Sequence, residues 1–388
     1  MKLCYVLPQY DEKSSENFFH ISNFLEELGK EVELYVVIEH CISKPKIANI
    51  KKIYILKDGL NSISSFYRLF KLIRIYFELY NNGVKLFFAR SSLTSVLPLI
   101  IANRLLNFSR SNIIFWSCGQ DVVPLSLIPN SKNVKRLISK LLAWFTFKGI
   151  NYLATGPEMM VEYYHVKYKI PRNKILTLYN DVSLNRFYGL STKEKTFIKN
   201  ELLNTDKKVM LFVHTFNKCR GADLLPVIAQ KIKDNNLNVL IVAIGRPGDF
   251  SSELDRIIQL NCLEESIINL GKVANKDISK FYQIADLFIM PSRGEGFPRV
   301  LLESMACECP TLSFNVGGVS NILAEETLQD LLIPLNKDEQ FVENSLRIIN
   351  NQSLLDELAK KSYDKVFQYR TENIVQMYLD CLVRFEKV

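Results

Sequence analysis

Two glutamates set eight residues apart, Glu295 and Glu303, are the residues best placed to do chemistry. They stand in Ala285-Asp286-Leu287-Phe288-Ile289-Met290-Pro291-Ser292-Arg293-Gly294-Glu295-Gly296-Phe297-Pro298-Arg299-Val300-Leu301-Leu302-Glu303-Ser304-Met305-Ala306. The pattern predicts a buried strand, a tight glycine loop and a helix. Pro298 suits the first helical turn, where its missing N–H costs nothing. Gly294 and Gly296 let the backbone approach a ligand closely. The N–H groups of Phe297, Arg299 and Val300 then stand unpaired at a helix N-terminus, a ready seat for a phosphate. A carboxylate accepts from both hydroxyls of a vicinal diol, so one on each side of a bound diphosphate could grip a sugar and a ribose. The plainer alternative is one glutamate favoured by the helix dipole and one solvated on the helix. That alternative is stronger for either residue alone; the whole strand–loop–helix context argues for the ligand.

A second cluster is Val213-His214-Thr215-Phe216-Asn217-Lys218-Cys219-Arg220-Gly221-Ala222-Asp223. It follows a strand and opens a helix. Arg220 reads either as a surface cation at a helix start or as a ligand of an anion; the dipole disfavours the first, which argues for the second. Gly245-Arg246-Pro247 and Gly271-Lys272-Val273 end strands; each reads either as part of the same site or as an ordinary turn.

Short β-branched runs alternate with helical segments along the chain. Leu3–Leu7, Val32–Ile38, Ile53–Ile55, Leu86–Phe88, Asn112–Phe115 and Tyr152–Ala154 read as strands. The series restarts with Val209–Val213, Val239–Ile244, Ile267–Leu270, Leu287–Met290, Thr311–Phe314 and Leu331–Ile333. Amphipathic helices fall at His20–Gly29, Ala222–Asp234, Lys276–Ile284 and Arg299–Ala306, with further helices after residue 352. Such alternation builds parallel, doubly wound sheets covered on both faces. The fold class is therefore α/β, with two Rossmann-like domains facing across a cleft. The polar stretch Asp181–Lys208 holds the boundary. The first domain spans 1–187 with 370–388 returning to it, and the second spans 188–369. Ligands of open α/β sheets sit at the C-terminal ends of the strands.

The chain has 388 residues, 48% hydrophobic and 23% charged, which excludes disordered and low-complexity classes. The N-terminus reads as a strand rather than a signal-peptide core. The eight cysteines form no CxxC pair and no framework, so free thiols in a reducing cytoplasm are expected and a zinc site at Cys307 and Cys309 is not. The net charge of +8 is uneven: residues 1–190 hold 25 Lys+Arg against 14 Asp+Glu, a net of +11. Within 41–150 there are 17 basic residues against Asp58, Glu78 and Asp121, a net of +14. Helical stretches at 66–77 and 132–148 mix Arg68, Lys71 and Arg74, or Lys132, Lys135, Arg136, Lys140 and Lys148, with aromatics. They read either as surface helices covering a sheet or as contacts to an anionic membrane surface. No nucleic-acid-binding pattern is present.

At Glu295 and Glu303 the chain resembles the GT-B glycosyltransferases of family 4. Their mark is a glutamate, seven residues and a second glutamate within Pro-Ser…Glu-Gly-Phe-Pro. Ala285-Asp286, Pro291-Ser292 and Gly317-Gly318-Val319 match as well. The resemblance implies that Glu303 binds the ribose and Glu295 the donor sugar hydroxyls, and that backbone amides of Gly296, Phe297, Pro298, Arg299 and Val300 hold sugar and β-phosphate. Arg220 stands for the family's lysine on the diphosphate; Thr215 occupies the place of its arginine, with Lys218 nearby to compensate. Gly245, Arg246 and Val273 match turns near the nucleotide. Cys118 stands where the family carries a histidine, and Gln120, Asp121 and His20 are acceptor-side candidates. Tyr179-Asn180-Asp181-Val182 with Arg186-Phe187 matches an interdomain turn. The usual Gly-Gly loop before the first helix is replaced by Ser14-Ser15-Glu16-Asn17.

The resemblance implies a retaining, metal-independent transfer from a nucleoside diphosphate sugar to a glycan or lipid-linked acceptor. The basic first half points to a lipid-linked acceptor at the inner face of the membrane, as in surface polysaccharide assembly, with the protein cytoplasmic and peripheral there. No cofactor is expected. A sugar-nucleotide epimerase on the same fold lacks the paired-glutamate helix. An inactive scaffold or partner subunit at the membrane is the alternative that Thr215 and Cys118 keep open.

Overall fold

The computed structural model describes residues 1–11, 21–43, 45–58, 65–90, 93–105, 111–118 and 132–385. Contacts group the chain into two units, Met1–Tyr179 with Thr371–Val388, and Asn180–Arg370.

In the first unit, β1 (Lys2–Tyr10), α1 (Ile21–Glu31), β2 (Glu33–Cys41), β3 (Lys52–Asp58), α2 (Ser65–Asn81), β4 (Leu86–Arg90) and α3 (Leu93–Leu105) lead into the second half of the sheet. That half holds β5 (Asn112–Trp116), α4 (Lys132–Gly149), β6 (Tyr152–Thr155), α5 (Glu158–Tyr168) and β7 (Ile175–Thr177). The sheet is parallel, in the order β3-β2-β1-β4-β5-β6-β7. The sequence pattern predicts six of these strands and not β7, which has only three residues and no room for alternation to declare itself. Leu72, Ile75, Tyr76 and Leu79 of α2 and Val96, Leu99 and Ile100 of α3 are buried on one sheet face, with Leu142, Phe145 and Phe147 of α4 packed beside them. The helix that follows Arg370, Thr371–Leu382, closes the other face: Tyr378 meets Phe24 of α1 at 4.9 Å and Phe88 of β4 at 5.7 Å between ring centres.

The second unit runs α6 (Thr192–Leu203), β8 (Lys208–Val213), α7 (Leu225–Asp234), β9 (Val239–Ile244), α8 (Ser251–Leu260), β10 (Ile267–Gly271) and α9 (Ile278–Ile284). It continues with β11 (Leu287–Met290), α10 (Arg299–Ala306), β12 (Thr311–Phe314), α11 (Val319–Leu323), β13 (Leu332–Ile333), α12 (Asp338–Asn350) and α13 (Gln352–Val366). Its sheet, also parallel, has the order β10-β9-β8-β11-β12-β13. β9, β11 and β12 are buried at every residue, as strands covered on both faces must be. The polar stretch after Ser191 folds as α6, opened by a capping box between Ser191 and Glu194. Lys195 docks it by donating to Ala285 O at 2.9 Å and Asp286 Oδ1 at 2.7 Å. Asp286 Oδ2 in turn accepts from Val209 N at 2.7 Å, so this acid serves the scaffold.

Candidate active site

The strand order of the second sheet reverses between β8 and β11, with β9 and β10 on one side of β8 and β11, β12 and β13 on the other. A crevice opens at the C-terminal ends of two strands whose connections leave in opposite directions. His214–Arg220 leaves β8 there, and Pro291–Pro298 leaves β11 beside it. Gly245 and Arg246 follow β9, and Val273 follows β10, on the same edge of this parallel sheet.

Backbone contacts join the two central loops. Gly221 has φ of 76°, and a Cβ there would lie 2.0 Å from Pro291 O, so only glycine fits between the loops. Arg293 staples them from the other side. Its N–H donates to Cys219 O at 2.8 Å, its Nη1 to Lys218 O at 2.7 Å and Asp223 Oδ1 at 2.8 Å, and its Nη2 to Asp338 Oδ2 at 2.9 Å. Asn217 Oδ1 accepts from Arg220 N at 2.9 Å and sets the short 3₁₀ turn over Lys218–Arg220.

This scaffold brings Arg220 onto Glu295. Arg220 Nη1 donates to Gly294 O, to Ser292 Oγ at 3.3 Å and to Glu295 Oε1 at 2.5 Å. Ser292 Oγ donates to the same Oε1 at 2.7 Å, and His214 Nε2 lies 3.4 Å from it. Burial pushes the Glu295 carboxyl up, but His214, Arg220 and Ser292 outweigh it and hold the group below its ordinary value. The residue is ionised at neutral pH, with its second oxygen receiving no donor from the described residues. Among the described residues every side-chain bond of Arg220 comes from Nη1, which leaves Nη2 and Nε for a further anion.

Helix α10 carries Glu303 into a different setting. Burial raises its carboxyl, and the charges of Arg186 and Arg299 with the Tyr282 hydroxyl offset only part of that. Burial likewise pulls the Arg186 guanidinium down, against the pull of Glu303. Arg186 donates to both oxygens of Asn275 and so spans from Glu303 to the start of α9. Arg299 is fixed by Asp181, donating to its backbone O at 2.9 Å and its Oδ1 at 2.7 Å.

Some expected residues stand elsewhere. Lys218 is exposed, with its ammonium 5.9 Å from the Phe250 ring centre, and no bond joins it to Glu295. Pro298 is not in the first turn; it precedes it as the N-cap, and no side chain caps α10. Phe297 is a buried anchor, its ring 5.5 Å from Tyr369 and its carbonyl accepting from Asn180 Nδ2 at 2.7 Å. Gly296 O accepts from Gly318 N at 2.6 Å, which holds the glutamate loop from below. Val300 and Val273 are half-buried and Arg246 is exposed. In the first unit, Cys118 is half-buried two residues past β5. Gln120, Asp121 and His20 lie outside the described residues. Three participants were missed: His214, Ser292 and Tyr282. A polar residue within two positions of the β8 or β11 strand end was the available signal for the first two; nothing local marked Tyr282. Among the described residues no three His, Cys, Asp or Glu side chains converge as a metal would need.

Residues 193–365 match the family of glycosyl transferases group 1. The N-acetyl-alpha-D-glucosaminyl L-malate synthase of Bacillus anthracis is 22% identical over 272 residues, 69% of this chain and 67% of its own. The UDP-Gal:alpha-D-GlcNAc-diphosphoundecaprenol alpha-1,3-galactosyltransferase of Escherichia coli is 27% identical over 220 residues, 54% of this chain and 55% of its own. The chain spans about half the length of most of the curated relatives it matches. The solved structure of Anabaena HepE in complex with UDP and glucose superposes with a TM-score of 0.75 at 15% identity, covering 99% of this chain and 100% of that one. The family match falls on the stretch that holds Glu295 and Glu303, and the likeness in fold runs the length of the chain. The second unit is similar to the glycosyl transferases group 1, and the chain as a whole has the GT-B fold.

Proposed function

We propose that the protein transfers a sugar, with retention of configuration and without a metal, from a UDP- or GDP-sugar to a glycan or lipid-linked acceptor. The observation that carries this is the cluster at the β8–β11 crevice. Among the described residues it holds an ionised Glu295 with one oxygen that receives no donor and Arg220 with two nitrogens that make no bond, and the loop that carries Glu295 leads into the uncapped start of α10. The open carboxylate oxygen suits sugar hydroxyls. Arg220 and the helix N-terminus suit the charge that develops on a departing diphosphate, and such preorganised electrostatics are often the largest catalytic contribution. Glu303, one helix deeper, suits the ribose diol. The HepE structure with UDP and glucose supports a nucleotide sugar as donor. The E. coli relative, named for a diphosphoundecaprenol acceptor, supports a lipid-linked one.

Calorimetry with UDP and GDP in the presence of EDTA tests this. One of them should bind, and Glu303→Ala should weaken it by more than about a hundredfold, since two hydrogen bonds to a carboxylate are worth about 3–6 kcal/mol together. No binding of either nucleotide, or full binding by the variant, counts against the site.

We also propose that the first unit lies peripherally on an anionic membrane from the cytoplasmic side. Arg68 and Lys71 do not form the exposed face of α2: Arg68 pairs with buried Glu39, and Lys71 donates to Leu56 O at 2.8 Å. The outward ridge is instead Tyr67, Phe70, Arg74 and Phe77. On α4 the outward ridge is Leu141, Trp144 and Lys148; the side chains of Lys132, Lys135, Arg136 and Lys140 lie outside what the structure describes. Both helices cover the same sheet face, so the two ridges point away from one core. Exposed aromatics beside cations fit the headgroup region, and the net of +14 over 41–150 supplies the attraction. No described helix is long and apolar enough to cross a bilayer.

A further inference from the structure

β8 ends at Val213, and the next side chain turns into the cluster. His214 Nδ1 accepts from Thr215 N at 2.7 Å. A ring nitrogen that accepts carries no proton, so the neutral ring holds its proton on Nε2, the atom 3.4 Å from Glu295 Oε1. The backbone that aims this ring is fixed. His214 N donates to Ile244 O at 3.0 Å, and a Cβ at Gly245 would lie 1.7 Å from His214 O, so β9 can close on it only through glycine.

Three donors from three different positions therefore meet one oxygen of Glu295: Arg220 Nη1, Ser292 Oγ and His214 Nε2. Turning the carboxylate would break all three contacts at once. We propose that His214 is a positioning residue that locks Glu295 Oε1 so that Oε2 is presented to a hydroxyl of the donor sugar. This rests on the donor-site reading above. Thr215, in the place where an anion-binding arginine was expected, serves through its backbone N–H instead, by setting the tautomer of its neighbour. A ring donor held by its backbone suits this task, since it restrains the carboxylate through Nε2 from a fixed direction.

The role is selective, and calorimetry reads the selectivity by titrating UDP and GDP against UDP-glucose and GDP-mannose. Glu295 faces the sugar and not the nucleotide. His214→Ala should therefore weaken a sugar nucleotide about tenfold while binding of the bare nucleotide stays within about twofold. His214→Gln, whose amide N–H can reach the same oxygen, should recover most of the loss. Ser292→Ala removes a second donor to that oxygen without touching the ring and should show the same selective loss, which keeps the test open if His214→Ala fails to fold. Equal losses for nucleotide and sugar nucleotide, or no loss for either, would overturn the positioning role. Failure of the parent protein to bind any of the four ligands overturns the donor-site reading itself, and the positioning role with it.

Discussion

Replacing Arg220 by methionine removes a guanidinium and keeps most of its stem. Its Nη1 lies 2.5 Å from Glu295 Oε1, with the carboxylate side chain 10% exposed and the arginine 29%. Removing one partner of a buried pair costs about 3–5 kcal/mol. Solvent at the partly exposed guanidinium lowers that figure, and Ser292 and His214 remain as donors, so about 2 kcal/mol is expected near neutral pH. In a unit of this size the loss corresponds to roughly 4–8 °C in melting temperature. The pH dependence follows from the carboxyl. Burial pushes Glu295 up, while His214, Arg220 and Ser292 together hold it below its ordinary value. An acid held low in the fold stabilises it above the unfolded pKa, and that contribution disappears as pH falls through the folded one. The difference between parent and Arg220→Met should therefore be widest near neutral pH and should close on acidification through and below the ordinary carboxylate range. Scanning calorimetry of both proteins at stepped pH measures it. A difference that stays constant with pH, or a variant as stable as the parent near neutral pH, would refute the ion pair as the organiser of this site.

Arg299→Ala should destabilise the second unit by about 3–5 kcal/mol in urea unfolding, because it leaves the Asp181 carboxylate, with a side chain 4% exposed, without its guanidinium. Adding Asp181→Asn should recover part of the loss; an unaltered midpoint in the single variant would show that the pair contributes nothing. Vesicles containing anionic lipid should retain the protein and release it in high salt, since the attraction is screened. Phe70→Ser, at a residue 64% exposed, should reduce that retention tenfold or more, as burying a phenylalanine is worth about 1.5–3 kcal/mol. Retention indifferent to both salt and Phe70 would remove α2 from the membrane surface.

Much of the fold was legible because parallel strands buried on both faces announce themselves as unbroken apolar runs. Val239–Ile244, Leu287–Met290 and Thr311–Phe314 have the bounds their runs predict. β7 was not legible, because three residues carry no period. The outward face of α2 was not legible either, because helical spacing does not say which stripe faces out. A buried glutamate on β2 and a carbonyl on β3 hold Arg68 and Lys71, while Tyr67, Phe70, Arg74 and Phe77 stay outside.

Glu295, Glu303 and Arg220 could be singled out from residue order alone, since a strand, a glycine loop and a helix are local structures that fix which groups reach a strand end. What those groups do to one another was decided only by the sheet. β8 and β11 are neighbours although β9 and β10 come between them in the sequence, and that adjacency is set by long-range strand pairing. Only through it do His214, Arg220 and Ser292 converge on a single carboxylate oxygen, and no spacing along the chain encodes a convergence that hydrogen bonding across the sheet creates.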